Sequence, residues 1–555
     1  MKEYELEKLR KHFLKSDQSN IIKFIKMIGN ILYNNFSKCQ LYDGKVNNCN
    51  YKNWIEKYEN IPDEVEEGDN LLKDSIKVFN DQIRWNSLAV MHNLNPPILM
   101  DSVIGNMITS IYNPNVLWDF VSANSQKMEK QVVRQIAELC QWNKKKAGGV
   151  FTFGGKACLL YAIRIGLNRA IKGYSDVGFD NKSKPVVITS KENHYTIDYV
   201  CSFLGIGKSN CIRIPTKNDK MNLEIFKKKI IECMENNIPI AAIILLGGNT
   251  INNSIDSVKK IYDIVKSCQK KYNLSYMPYI HFDTVVGWAW LFFKYYNFKE
   301  NKFDIQKKSL EILKENYKLI KQVKYVDSMG VDFHKIGFAP YQSSVFIIKN
   351  KKELFSINKS ILEQLDEKEY SNNFTQHYTL EHSRSFAPIY SGWLALQIVG
   401  KNGFISYLAY MTEIAFYLRK KMEELNFFWV NQEAKGFASI FWCSYKSDIK
   451  FQDIFKWKKK QIKAHNMYIY NLYEVLQQAK YSNNKYVFAY ISDYVHSFYG
   501  QNIATIRIFP MSMEINYKDI NYIVKDIKKI KDRFDFEFKN KFIQIHLNKF
   551  EAIPR

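Results

Sequence analysis

The side chain with the most chemical potential in this sequence is Lys335, in the string Asp332-Phe333-His334-Lys335 just ahead of the strand-like run Ser343 to Ile348. A lysine held between two apolar runs is costly to keep charged, so its pKa is expected to fall toward the range where a neutral amine attacks a carbonyl. That is Schiff-base chemistry, although a lysine in a loop is most often a surface side chain. Other segments point the same way. Ligands of open α/β sheets bind beyond the carboxyl ends of the strands, and several residues of this chain follow strand-like runs. The turn Gly148 to Lys156, rich in glycine, leads into a helical stretch from about Ala157 to Arg169, where backbone N–H groups and the helix dipole favour an anion. His194, after Val186 to Thr189, carries a ring that can stack on a planar group, and Thr250, after Ala241 to Leu246, carries a hydroxyl. Asp283 closes the run Tyr279 to Phe282, and a carboxylate at the end of a buried strand needs a cation or strong donors.

These positions need a large scaffold, and the 555 residues are enough for one big domain with smaller companions. From about residue 86 to 400, short apolar strands alternate with helices. Because the strands are apolar throughout rather than alternating with polar residues, they predict a mostly parallel sheet buried on both faces. Residues 1–85 read as polar amphipathic helices broken at Ile61-Pro62-Asp63-Glu64, and residues 401–555 as an α+β C-terminal domain. Hydrophobic residues make up 46% and charged residues 25%, a globular balance that argues against disorder. The net charge is +24, but the lysines are dispersed among Asn, Ile and Tyr without an arginine-rich stripe, which argues against a nucleic-acid partner. The nine cysteines form no CxxC pair, which predicts reduced thiols in a cytoplasm and no metal. Met1 to Lys15 has no apolar signal core, and runs such as Ile240 to Leu246 are too short to span a bilayer, so no membrane association is expected.

Taken in order, these segments resemble the pyridoxal-phosphate-dependent amino acid decarboxylases of the group that includes the glutamate, aromatic-amino-acid and tyrosine enzymes, with the closest echoes among the bacterial tyrosine decarboxylases. The matching strings are FGGKACLLYAI (153–163), ENHYTIDYVCSFLGIG (192–207), GGNTINNSID (247–256), IHFDTVVGW (280–288) and DSMGVDFHKIGFAPYQSSVFI (327–347), with SANSQKMEKQVVRQIAEL (122–139) in support. The resemblance implies a type-I aminotransferase-like α/β fold in a homodimer whose active sites lie at the subunit interface. It implies that Lys335 carries pyridoxal 5′-phosphate covalently, His194 stacks on its ring, and Asp283 keeps the pyridine nitrogen protonated. Gly154, Gly155 and Lys156 would lie along the phosphate, Thr250 near the ring's phenolic oxygen or the aldimine, and His334 beside the lysine. The implied reaction is decarboxylation of a small-molecule L-amino acid, aromatic and tyrosine-like.

Several positions depart from the family pattern. Lys156, Ala157 and Leu159 replace a small or hydroxyl residue, an acid and an asparagine. Asn249 replaces a threonine, Asn253 a glycine, Thr284 an alanine and Phe333 a proline. The loop after the lysine segment usually carries a tyrosine that donates the proton to Cα; counted from Lys335 that place falls near Ser360 or Ile361, and Tyr370 is the next tyrosine. Its loss in this family is associated with oxygen-dependent conversion to an aldehyde, so amine and aldehyde are both open as products, as is a homologue that has lost its chemistry and serves as a binding partner. Reduction with borohydride in the presence of pyridoxal phosphate is expected to fix a pyridoxyl group on Lys335, and peptide mapping that finds it on another lysine would remove the assignment.

Overall fold

Runs of Val, Ile and Leu without polar alternation form strands only where both faces are covered, and that is how the centre of this protein is built. The computed structural model describes residues 10, 20–36, 41–45, 56–66, 68–79, 81–179, 184–217, 219–358, 375–446, 448–478, 480–495 and 502–540. The strands are β1 (Gly148–Thr152), β2 (Val186–Ser190), β3 (Cys211–Ile214), the hairpin β4 (Thr216–Lys217) and β5 (Lys220–Met221), β6 (Ile240–Leu246), β7 (Tyr279–Asp283), β8 (Ser328–Asp332), β9 (Ser344–Ile348), β10 (Phe428–Trp429), β11 (Ser439–Trp442), β12 (Ala489–Val495) and β13 (Asn502–Ile508). A seven-stranded sheet has the order β1-β9-β8-β7-β6-β2-β3. β8, β7, β6, β2 and β3 run parallel, and β9 is antiparallel to both its neighbours. Every residue of β2, β6, β7, β8 and β9 is buried. The mostly parallel α/β sheet expected from the sequence is therefore present, and its parallel strands direct their carboxyl ends to one edge.

A smaller antiparallel sheet, β10-β11-β13-β12, carries the helix Lys459–Gln477, and the helix Tyr517–Asn540 packs against that helix. The helical run Ala387–Glu423 packs against both parts of the chain and kinks at Gly400, whose φ of 59° suits a residue without Cβ. Sequence periodicity by itself marks this helix only over Ile414 to Leu425. Its first half is rich in small residues and has no clean amphipathic stripe, so the pattern underestimates its length. Buried Arg419 joins the helix to the smaller sheet, donating to Ser439 Oγ at 2.8 Å and to the Ala438 carbonyl at 3.0 Å.

The edge strand β1 is held by a buried ion pair. Arg384 reaches Glu129 with two parallel bonds of 2.8 Å, and Glu129 also accepts the Phe151 N–H of β1 at 2.8 Å. Both side chains are about 5% exposed or less. Removing one partner leaves the other charge buried and unmatched, at a cost of roughly 3 to 5 kcal/mol. Arg384→Met is accordingly expected to lower unfolding stability by about that amount in denaturant titration, with part of the loss recovered on adding Glu129→Gln.

Candidate active site

The carboxyl ends of β2, β6, β7 and β8 surround a cavity of about 520 Å³. Its wall includes Gly155, Lys156, His194, Thr250, Asp283, His334 and Lys335, brought from five separate stretches of sequence. Gly154 stands beside it as the N-cap of the helix Gly155–Ala170, with φ at 129° and nothing within 4 Å of where a Cβ would lie. Only glycine adopts that conformation without strain. The turn thus sets the first residues of the helix, Gly155 and Lys156, in the cavity wall, at the end of a helix where anions are favoured.

His194 is placed by a residue with no sequence signal. Arg213, on β3, donates to the carbonyls of Asn193 (2.9 Å) and His194 (3.1 Å) while its guanidinium grips Asp198 at 3.0–3.2 Å. The Thr196 N–H donates to His194 Nδ1 at 3.2 Å, which leaves the ring proton on Nε2. The surrounding protein and the positive charges of Lys335, Arg213 and Lys156 push the His194 pKa down to about 4. The ring stands open to the cavity, so solvent softens that push, and the imidazole is neutral at pH 7 in either case.

Asp283 ends β7 opposite Leu246 of β6. The two strands converge so closely that a Cβ on Gly247 would lie 2.5 Å from the Thr284 side chain, and one on Gly287 2.0 Å from the Gly247 carbonyl oxygen. Burial pushes the Asp283 carboxyl up to about 6, partly offset by the charge of Lys335. It is an 8% exposed acid with room for a cationic hydrogen-bond donor.

Lys335 departs from the depressed pKa expected from its apolar flanks. Burial does push its ammonium down, but Asp332 lies 2.8 Å from Nζ and, with Asp283 and Tyr341, outweighs burial, so the pKa is raised. Asp332, His334 Nε2 (3.5 Å away) and Ser344 Oγ (2.6 Å) complete the cluster. Asp332 was legible as an acid three residues before the lysine but carried no role in the sequence reading. Leu159 and Asn249, two of the departures from the family pattern, also line the cavity, as do Lys191, Ile251, Val285 and Val286, to which the sequence assigned no role. Ser360, Ile361 and Tyr370 lie outside the described residues.

The departures from the family pattern have local accommodations. Asn253 has φ at 56°, a left-handed conformation that asparagine tolerates, and Gly436 leaves it room: a Cβ there would be 2.6 Å from Asn253 Cγ. Thr284 donates to the Gly330 carbonyl at 2.7 Å. Phe333 is fully buried between Phe151 and Trp288.

A conserved-domain description of pyridoxal-dependent decarboxylases matches residues 52–300 and 309–444. The chain is 23% identical over 347 residues to the acidic amino acid decarboxylase GADL1 of Bos taurus, covering 61% of this chain and 60% of that protein. It is 24% identical over 254 residues to the L-tyrosine decarboxylase of Enterococcus faecium, covering 43% and 41%. The chain thus spans about half the length of the curated relatives it matches. The crystal structure of mouse CSAD superposes with a TM-score of 0.76 at 16% identity, over 93% of this chain and 99% of that one, which shows a shared fold.

The Asp283 carboxyl generates a stability test on the cofactor-free protein. Its folded pKa, raised to about 6, exceeds the unfolded value of about 3.9, so its favourable contribution is present below about pH 4 and is lost as pH rises through 6. Asp283→Asn is therefore expected to stabilise the cofactor-free protein at pH 8, by on the order of 2 kcal/mol, with the gain vanishing near pH 4. Melting curves across that range check it.

Proposed function

The chain belongs to the family of pyridoxal-dependent decarboxylases, and from that premise we propose that it removes the carboxylate of an aromatic, tyrosine-like L-amino acid, releasing the amine and carbon dioxide. The observation that carries the reading is the convergence of Lys335, Asp283 and His194 on one cavity beside the Gly154–Gly155 turn. The donor set fits pyridoxal 5′-phosphate: an anion cradle at a helix N-terminus, a buried acid with a raised pKa, an open imidazole face and an amine. When bound, that cofactor supplies an electron sink for the pair of electrons released as carbon dioxide leaves.

The protein's own groups have distinct tasks in this reading. Lys335 would hold the cofactor through its side-chain amine. Asp283 would hold a proton at the pyridine nitrogen, Thr250 would offer its hydroxyl to the ring, and Gly154, Gly155 and Lys156 would receive the phosphate. His194 supplies a neutral stacking face, and His334 sits against Asp332 beside the lysine. Leu159, Leu246, Ile251, Val285 and Val286 make part of the wall apolar, which supports an aromatic side chain. We read the assembly as a homodimer, supported by the exposed apolar side chains Met100, Ile104, Met107, Ile108 and Tyr112 on the helix Met100–Tyr112. A cytoplasmic setting is supported by seven buried free thiols among the described residues, where no helix is long and apolar enough to cross a membrane.

A panel of tyrosine, phenylalanine, tryptophan, glutamate and aspartate, assayed by mass spectrometry with and without oxygen, tests the reading. The expected outcome is amine from an aromatic substrate at the same rate in both atmospheres. Turnover of only the acidic substrates would transfer the assignment to that class, and aldehyde with ammonia and hydrogen peroxide formed only in oxygen would assign the alternative product.

A further inference from the structure

Asp332 has no task in the reaction as described above, yet its carboxylate meets three side chains at the floor of the cavity. Its side chain is 2% exposed. Oδ2 lies 2.8 Å from Lys335 Nζ and 3.5 Å from His334 Nε2, and Ser344 Oγ donates to Oδ1 at 2.6 Å. Ser344 reaches it because β8 and β9 pair Asp332 directly opposite Ser344. From the other side the carboxylate abuts the anion cradle: a Cβ on Gly155 would lie 3.2 Å from Oδ2 and 3.3 Å from Oδ1. A buried carboxylate must be matched by a cation, and here the matching cation is the lysine assigned to the chemistry.

We infer that Asp332 is a positioning residue that clamps the Lys335 ammonium in the cofactor-free protein, so that capture of pyridoxal phosphate requires this ion pair to be broken. The inference rests on the reading of Lys335 as the cofactor lysine. Only the amine lone pair attacks an aldehyde, so the ammonium first gives up one proton to solvent, to which the quarter-exposed Lys335 side chain has access. The nitrogen–carbon bond then forms, and water departs with the aldehyde oxygen and the two hydrogens left on nitrogen. The clamp therefore sets the pH at which capture becomes fast and holds Nζ in place until then.

The charges around Lys335 favour the clamp. Asp332 and His334 approach from its own strand end and turn, Asp283 from β7, and Tyr341 from the segment that follows. His194 faces the site from the β2 loop, the cations of Arg213 and Lys156 near it oppose a further positive charge, and Cys158 lies close to Asp332 from the helix Gly155–Ala170. Burial opposes the charged amine, and the carboxylates of Asp332 and Asp283 overcome that opposition.

Trace acetylation of the cofactor-free protein across a pH series, with each lysine quantified by peptide mapping, reads the clamp without any assay of the loaded enzyme. In the wild type, Lys335 is expected to reach half-maximal reactivity at a higher pH than exposed lysines such as Lys217 in the same digest. In Asp332→Asn its midpoint should fall by at least one unit, and absorbance-monitored capture of pyridoxal phosphate at pH 7 should quicken by about tenfold, the change in free-amine fraction that one unit represents. A purely structural role for Asp332 would leave the midpoint where it is. A wild-type Lys335 that titrates with the exposed lysines, or a midpoint unmoved in Asp332→Asn, overturns the inference. The wild-type comparison decides the matter even if the variant does not fold. Absence of any pyridoxyl label on wild-type Lys335 removes the cofactor reading together with the clamp, whereas a labelled Lys335 with an unmoved midpoint removes the clamp alone.

Discussion

The paired bonds between Glu129 and Arg384 are the constraint on which the cofactor end of this molecule depends. β1 is an edge strand, and its outer N–H and C=O groups would otherwise face the interior without partners. Glu129 accepts the Phe151 N–H, Arg384 approaches the Phe151 carbonyl at 3.3 Å, and Thr375 links the guanidinium to the carbonyls of Val116 and Leu117. One buried pair thereby ties the helix Ser125–Leu139, the edge of the sheet and the entry to the helix Ala387–Glu423 into a single unit. Phe151 lies three residues before Gly154, so the position of the anion cradle is inherited from this pair. A hydrophobic replacement could match its stability, but it would not satisfy the backbone of Phe151 with the same directionality.

Within the cavity the dominant theme is the matching of buried charge. Two carboxylates, Asp283 and Asp332, lie near Lys335 and respond in opposite directions. Asp332 is drawn below its ordinary pKa because, despite burial, Lys335 and His334 stand against it; Asp283 has only a more distant cation and is raised. The difference separates two acids of the same type: Asp332 is matched by the Lys335 amine, whereas Asp283 is left without a close cation. His194, by contrast, is kept neutral, first by its surroundings and then by the cations around it.

The sequence was a good guide to the β-strands because long apolar runs can be buried on both faces in only a few ways. Val186 to Thr189, Ile240 to Leu246 and Tyr279 to Phe282 all lie in the parallel part of the sheet, and Ser343 to Ile348 forms its one reversed strand. The helix Ala387–Glu423 was harder to read, since small residues packed on several sides leave no stripe of fixed period. The departures from the family pattern at Asn253 and Phe333 are accommodated by distant residues, Gly436 in one case and Trp288 in the other.

By itself, then, the sequence determined which side chains have reactive chemistry, the strand ends that carry them and the class of sheet that gathers them, because these follow from residue type and local period. Tertiary structure alone decided the protonation of those side chains and the contacts that hold them. The pKa of Lys335 was the clearest case. Its flanks predicted a depressed amine, but electrostatic energy depends on distance through space, and folding places the Asp332 carboxylate 2.8 Å from Nζ with Asp283 as a second attracting charge. Arg213, 19 residues beyond His194 in the chain, became its support for the same reason: the parallel pairing of β2 with β3 brings the two together, and no local pattern records that pairing.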